Sequence, residues 1–77
     1  MKVVEDILKV IKEIIENDDI NLNQNLKEIG CNSITFVKLV VQIEEIYNIE
    51  FDDDALVVDK FSSVDSLVKY IVHKIEK

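Results

Sequence analysis

The sequence has no proline, a single glycine and a single cysteine. One cysteine excludes an internal disulfide, and we therefore expect a reducing, cytoplasmic setting. No apolar run reaches the length of a signal-peptide core or a membrane-spanning helix. Without proline, repeats or low-complexity stretches there is no sign of a linker, so we expect one domain over residues 1–77. A chain this short buries only about 60% of its unfolded surface, which leaves no room for a deep catalytic cleft.

Basic residues are few: nine lysines stand against sixteen acids, for a net charge of −7. This balance disfavours nucleic acid and anionic membranes as partners, because both would repel the chain. Seven of the acids, and no base, lie between residues 44 and 59, while the remaining acids equal the lysines in number. That stretch is either a solubilising surface or a docking surface for a basic partner, and the sequence leaves both open.

Apolar residues recur at helical spacing in three segments, which predicts an all-α, four-helix bundle of three main helices and one short helix. The first main helix covers residues 3–15. The last begins after "FSS", where Ser62 or Ser63 can cap it. Its core stripe is expected to contain Val64, Leu67, Val68, Ile71 and Ile75.

Two connections separate the main helices. The first, residues 17–32, is long for so small a domain, and long loops are usually functional or disordered. We expect it to be ordered because four of its apolar residues can pack on the core: Ile20, Leu22, Leu26 and Ile29. The second has room for the short helix, with a start at Asp52 to Asp54 and a body at Ala55 to Val58.

The second main helix, expected from Ser33 onward, has more apolar residues than one core face can use. At about 100° per residue, one arc gathers the core candidates Phe36, Leu39, Val40, Ile43, Ile46 and Tyr47. A second apolar stripe contains Ile34, Val37 and Val41, bordered by Glu44 on one side and by Lys38 and Glu45 on the other. Either this helix packs on two sides, or the second stripe is an exposed patch that binds a partner.

The start of this helix raises a second question. Asn32 is a strong N-cap candidate, which places Ser33 in the first turn with its hydroxyl outward. Gly30 permits a positive φ in the turn before it. A helix N-terminus stabilises a phosphate through its unpaired N–H groups and its dipole. The same residues also fit an ordinary capped helix start, so they do not decide the function alone.

Over nearly the whole chain, the sequence resembles the acyl carrier and peptidyl carrier proteins. The resemblance rests on a loop ending in "LKEIG", on "NSI" opening a helix that continues "VKLVVQIEEIYNIEF", and on the later "FSSVDSLVKYI". It implies that Ser33 is esterified with 4′-phosphopantetheine. A separate phosphopantetheinyl transferase would supply that arm from coenzyme A with magnesium.

The resemblance also implies a carrier rather than an enzyme. The terminal thiol of the arm would hold an acyl or aminoacyl group as a thioester and deliver it to loading and acceptor enzymes with basic surfaces. No catalytic residue and no metal ligand are expected in the chain, and we expect a monomer. The second helix would be the recognition helix, with its partner contacts at Ile34, Val37, Lys38, Val41, Glu44 and Glu45.

Two residues depart from the pattern of fatty-acid carriers. Asn32 stands where those carriers usually have aspartate, and Lys38 stands where they tend to have an acid. Asparagine caps a helix as well as aspartate does, so the modification is still expected. The reversed charge at Lys38 favours a dedicated set of partners. We therefore expect a specialised polyketide or nonribosomal peptide pathway, with a housekeeping fatty-acid carrier as the alternative.

Three functions of other classes compete with the carrier. An EF-hand starting at Asp19 is excluded, because Gln24 replaces the required glycine and Gly30 replaces the bidentate glutamate. A Cys31 nucleophile needs a nearby base, yet the one histidine, His73, falls on the outer face of the last helix. A non-carrier helical interaction module, with Ser33 as a phosphorylation site or a bare cap, stays an alternative.

Overall fold

The computed structural model describes residues 2–76, with Lys2 described through its backbone alone. Three α-helices, α1 (Lys2–Ile15), α2 (Ser33–Tyr47) and α3 (Val64–Glu76), form a bundle in which α1 packs against both others. The prediction of an all-α helical fold is confirmed. Within the described residues, no helix is both long enough and apolar enough to span a membrane.

The short fourth helix differs from the prediction. Two separate 3₁₀ turns, Asp53–Ala55 and Val58–Lys60, replace a single helix through Val58. The reason is visible in which residues are buried: Ala55, Val58 and Phe61 recur every three residues, which is the period of a 3₁₀ helix. Leu56 and Val57, expected in the helix body, are exposed between these anchors.

One face of α2 forms the centre of the core. Phe36, Leu39, Val40 and Ile43 are buried, as the wheel predicts, and Tyr47 is half-buried against them. The placement of Ile46 in the core was wrong, since its side chain is 53% exposed. On the wheel Ile46 lies at the margin of the buried arc beside the polar Gln42, so a small rotation of the helix decides its burial.

A chain of aromatic contacts joins α2 to α3 through the segment between them. The rings of Phe36 and Phe61 have centroids 5.9 Å apart, and Phe61 meets Tyr70 edge-on at 5.4 Å. Tyr70 also contacts Phe51 at 5.1 Å. Tilted and edge-to-face pairs at these distances add favourable quadrupole contacts to the burial of the rings. The irregular segment is therefore held in place from both helices.

The connection before α2 is ordered and docks on the core, as expected. Ile20, Leu26 and Ile29 are buried, and Leu22 is partly buried. This connection also has a role that the sequence did not reveal. The backbone carbonyls of Leu22 and Gln24 accept hydrogen bonds, each 2.9 Å, from the N–H groups of Asp65 and Val64. They thereby satisfy donors that a helix start leaves unpaired.

The start of α3 confirms one of the two predicted caps. Ser63 Oγ accepts from the Ser66 N–H, and Ser66 Oγ accepts from the Ser63 N–H, both at 3.2 Å. This reciprocal pair is a capping box with serine in place of the usual glutamate. The predicted stripe follows, with Val64, Leu67, Val68 and Ile71 buried and Ile75 partly buried, while His73 is exposed.

Among the titratable groups that the structure describes, three hold their protons more tightly in the folded chain. Burial raises the pKa of the Cys31 thiol, and burial followed by the charge of Asp6 raises the pKa of Tyr47. A hydrogen bond to Asp52 raises the pKa of the partly buried Lys74 ammonium. A raised folded-state pKa contributes stability that is complete below the unfolded-state pKa and lost as pH rises. All three groups therefore act in the same direction.

We expect the free energy of unfolding to decrease as pH rises past the ordinary thiol pKa of 9.0, because the unfolded chain then releases protons first. Urea titrations between pH 7 and 11 measure this decrease. In Cys31→Ala the onset should move to higher pH, since the ordinary pKa values of Tyr47 and Lys74 are 10.0 and 10.5. An unchanged onset in that variant would contradict the role assigned to the thiol.

Candidate functional site

The site begins at the cap of α2. Asn32 has an extended backbone, and its Oδ1 accepts from the Thr35 N–H at 2.9 Å. Its carbonyl accepts from the Phe36 N–H at 2.8 Å. These bonds confirm Asn32 as the N-cap and place Ser33 at the first helical position, where it is exposed. The hydroxyl of Ser33 thus stands at the positive end of the helix dipole.

The turn before the cap depends on Gly30. Its φ is +92°, in the left-handed region that side chains rarely adopt. A Cβ there would meet Ile15 Cγ2 at 3.8 Å, an ordinary contact. A side chain would therefore fit at this position, and glycine is required because of the positive φ. The Cys31 N–H returns to the Leu26 carbonyl at 3.0 Å and closes the turn against the core.

A shallow groove of about 310 Å³ lies beside Ser33. The groove is lined by residues 30–33 together with Lys27, Val58 and Asp59. Lys27 Nζ lies 2.6 Å from Asp59 Oδ1, so an ion pair forms part of the groove lining. The groove is open and lined by both charges, which suits an extended polar chain at its edge better than an enclosed substrate.

Groups that could perform chemistry do not gather around Ser33. The Cys31 thiol is fully buried, and its raised pKa keeps it protonated, which disfavours it as a nucleophile. His73 lies on α3 at an exposed position. Across residues 2–76 no group of three or more His, Cys, Asp or Glu side chains could hold a metal ion. The arrangement around Ser33 can accept a modification but does not itself assemble a base and a nucleophile.

The second apolar stripe of α2 lies at the surface. Ile34, Val37 and Val41 are 72%, 56% and 46% exposed, so α2 is not packed on two sides. Lys38 beside them is also exposed. Of the two alternatives, a helix packed on two sides or an exposed apolar patch, the second describes the position of this stripe. The stripe begins at the residue after Ser33 and extends about two turns along α2, which places apolar surface next to the exposed hydroxyl.

Leu56 extends this patch and was missed by the sequence reasoning. It lines a groove of about 230 Å³ with Phe36, Val37, Val40, Val41 and Glu44. The prediction of a helix through Val58 hid its exposure. The three-residue recurrence of Ala55, Val58 and Phe61 is the signal that could have revealed it.

Several acids of the 44–59 stretch have structural partners. Glu44 Oε2 accepts the Phe51 N–H at 2.8 Å, and its side chain is half-buried. Three of the aspartates form ion pairs: Asp52 with Lys74 at 3.0 Å, Asp54 with Lys60 at 3.6 Å, and Asp59 with Lys27 at 2.6 Å. Glu45 and Glu50 are exposed, and none of the ion pairs found within residues 2–76 includes them. The stretch is therefore less strongly acidic towards a partner than its composition indicates.

Comparison with known proteins places this geometry in a family. The profile of the family described as "Phosphopantetheine attachment site" matches residues 2–71. The chain belongs to this phosphopantetheine-binding, acyl carrier protein family. It is 35% identical over 63 residues to an acyl carrier protein of Phytoplasma mali (strain AT), covering 80% of this chain and 73% of that protein. It is 34% identical over 74 residues to an acyl carrier protein of Helicobacter pylori (strain J99 / ATCC 700824), covering 92% of each.

Membership of the acyl carrier protein family decides three general points. The cofactor is a covalent 4′-phosphopantetheine, the chain is a carrier and not an enzyme, and it works with a phosphopantetheinyl transferase and with biosynthetic enzymes. The residues present fit this cofactor. An exposed hydroxyl stands at a helix N-terminus, a groove opens beside it, and an ammonium group lines that groove.

Removing the cap tests how the attachment turn is held. In Asn32→Ala the Thr35 N–H loses its acceptor, and we expect a loss of about 1 kcal/mol in the free energy of unfolding. Asn32→Asp keeps an acceptor at the same place and should stay close to the parent protein. Urea denaturation at neutral pH measures both. Equal losses in the two variants would show that the side-chain bond does not stabilise α2.

Proposed function

We propose that Ser33 carries the 4′-phosphopantetheine arm, and that residues 1–77 form one carrier domain that delivers acyl or aminoacyl thioesters to biosynthetic enzymes. The observation that carries the proposal is the exposed Ser33 hydroxyl, at the first position of α2 and at the edge of an open groove. The thiol at the end of the arm supplies the thioester chemistry. The chain itself only presents the arm.

The residues around Ser33 suit a phosphodiester at that hydroxyl. The first N–H groups of α2 have no acceptor within the helix, and its dipole favours an anion at this end. The Asn32 side chain accepts the Thr35 N–H, and this capping hydrogen bond does not involve the Ser33 hydroxyl. Modification of the serine therefore leaves the cap intact. Gly30 and Asn32 are exposed beside Ser33, which leaves that side open to the transferase. The base and the magnesium belong to the transferase in this mechanism.

The attachment test is intact mass after incubation with coenzyme A, magnesium and a broad-specificity phosphopantetheinyl transferase. The parent protein should gain one phosphopantetheine. Ser33→Ala should gain none while its urea denaturation stays close to that of the parent, because the Ser33 side chain is exposed. The matched control is Ser62→Ala, another exposed serine, which should load like the parent. Loading of Ser33→Ala would place the arm elsewhere.

Absence of loading in the folded parent protein would support the other class of function. The chain would then be a helical interaction module in which Ser33 is a cap residue or a phosphorylation site. Circular dichroism of the same sample separates this result from simple unfolding.

We further propose that the exposed face of α2 is the docking surface for partner enzymes. Ile34, Val37 and Val41 supply apolar contact, and Glu45 attracts basic enzyme surfaces. Glu44 borders the patch, although its carboxylate already binds the Phe51 N–H, so it contributes through its position and shape. A patch of this size suits a transient monomeric carrier, which must leave each enzyme after transfer.

A pair of matched variants tests the docking face. Val37→Asn removes apolar contact with little change in size, and Ile46→Asn changes a residue of similar exposure on the same helix outside the stripe. We expect kcat/KM for transferase loading to fall about tenfold in Val37→Asn, the equivalent of about 1.4 kcal/mol of lost contact. Ile46→Asn should stay within about twofold. Equal effects would remove the stripe as the docking surface.

The cargo pathway is the finer part of the proposal. Asn32 and the exposed Lys38 support a specialised polyketide or nonribosomal peptide carrier, because Lys38 places a positive charge on the docking face. The curated relatives are named acyl carrier proteins without further qualification, which favours a housekeeping fatty-acid carrier as the second candidate. A cytoplasmic location accompanies both candidates in the proposal.

A further inference from the structure

The ion pair that lines the groove beside Ser33 connects two segments of the chain that are far apart in sequence. Lys27 belongs to the connection that precedes α2, and Asp59 belongs to the second 3₁₀ turn. Both side chains are largely exposed, at 64% and 66%. The pair therefore lies at the solvent-exposed lining of the groove, and the neighbouring Val58 is the buried residue that anchors the turn.

An exposed ion pair is easily redirected by another charge. Such pairs shift a folding equilibrium by only about 1.5-fold to 5-fold, because solvent screens them and two long side chains lose freedom. A phosphodiester on Ser33 would add one negative charge to the edge of the same groove. Asp59 has the same sign as that group, and Lys27 is the one cation among the groove-lining residues of the described chain.

We propose that Lys27 is the counter-ion of the arm's phosphodiester, and that attachment of the arm draws its ammonium away from Asp59. This inference rests on Ser33 as the attachment residue. A lysine suits the role, because its flexible stem and three donors allow it to exchange one anion for another. The Lys27–Asp59 pair is then a feature of the unmodified protein, and the second 3₁₀ turn is held less firmly once the arm is attached.

The stability test compares unmodified and loaded protein, each verified by intact mass. In the unmodified protein, Asp59→Asn should lower the folded-to-unfolded ratio about 1.5-fold to 5-fold, because the ion pair is lost. In the loaded protein the same change should leave the ratio unchanged or raise it, because it removes a like charge beside the phosphodiester. The matched control is Asp65→Asn, which breaks the Lys69–Asp65 pair on α3, 3.1 Å long and away from the groove. Its effect should be equal in the two forms.

A second measurement observes the phosphodiester directly. The ³¹P resonance of the loaded protein should move in Lys27→Gln and stay in place in Lys69→Gln. The difference should shrink in about 1 M salt, where the Debye length is about 3 Å.

The outcomes distinguish this inference from the proposed function. Absence of loading on Ser33 would remove both together. Normal loading, with an equal cost of Asp59→Asn in the two forms and an unmoved ³¹P resonance in Lys27→Gln, would overturn the counter-ion role alone.

Discussion

Burial of Phe36 fixes the rotation of α2, and the rest of the site depends on that rotation. Its ring is almost fully buried and lies 5.9 Å from the ring of Phe61. Successive helical residues point about 100° apart, so a buried Phe36 turns Ile34 and Val37 towards solvent. The exposure of this apolar stripe is in this sense a geometric consequence of the core. Rotation of the helix by one residue in either direction would turn the ring of Phe36 out of the core.

The acidic stretch has two roles that its composition does not separate. Glu44 binds the Phe51 N–H, while the Tyr70 hydroxyl accepts from the Asp52 N–H and donates to the Asp52 carboxylate, each at 3.0 Å. Lys74 binds the other oxygen of Asp52. These bonds clamp residues 51 and 52 between α2 and α3, where no regular helix supports the backbone. Part of the negative charge thus maintains the fold, while Glu45 and Glu50 stay exposed outside the ion pairs found within residues 2–76.

Prediction from the sequence was most accurate for α2, where the helical spacing of apolar residues coincides with a capping residue and a glycine turn. Around α2 the exposed apolar arc, the asparagine cap and the positive φ at Gly30 are all properties of neighbouring residues, and the structure has each of them, while the core arc is as predicted except at Ile46. Prediction failed between residues 55 and 60, because four apolar residues in a row fit an α-helix as well as a 3₁₀ turn, and burial of Ala55, Val58 and Phe61 in the tertiary fold decides between them. The Lys27–Asp59 pair joins residues far apart in the sequence, and no local pattern indicates it.

A domain this small can serve as a carrier because the difficult chemistry lies outside it. With Ser33 as the proposed attachment residue, the chain would have only to hold one hydroxyl in a firm turn, and that turn has a cap, a glycine and a loop that is pinned to the core by Leu26 and Ile29. No cleft is required, so the limited core of 77 residues is sufficient. The apolar residues of α2 are divided between two faces, with Phe36, Leu39, Val40 and Ile43 in the core and Ile34, Val37 and Val41 at the surface. In the proposed carrier, folding and partner recognition would therefore use different residues of the same helix.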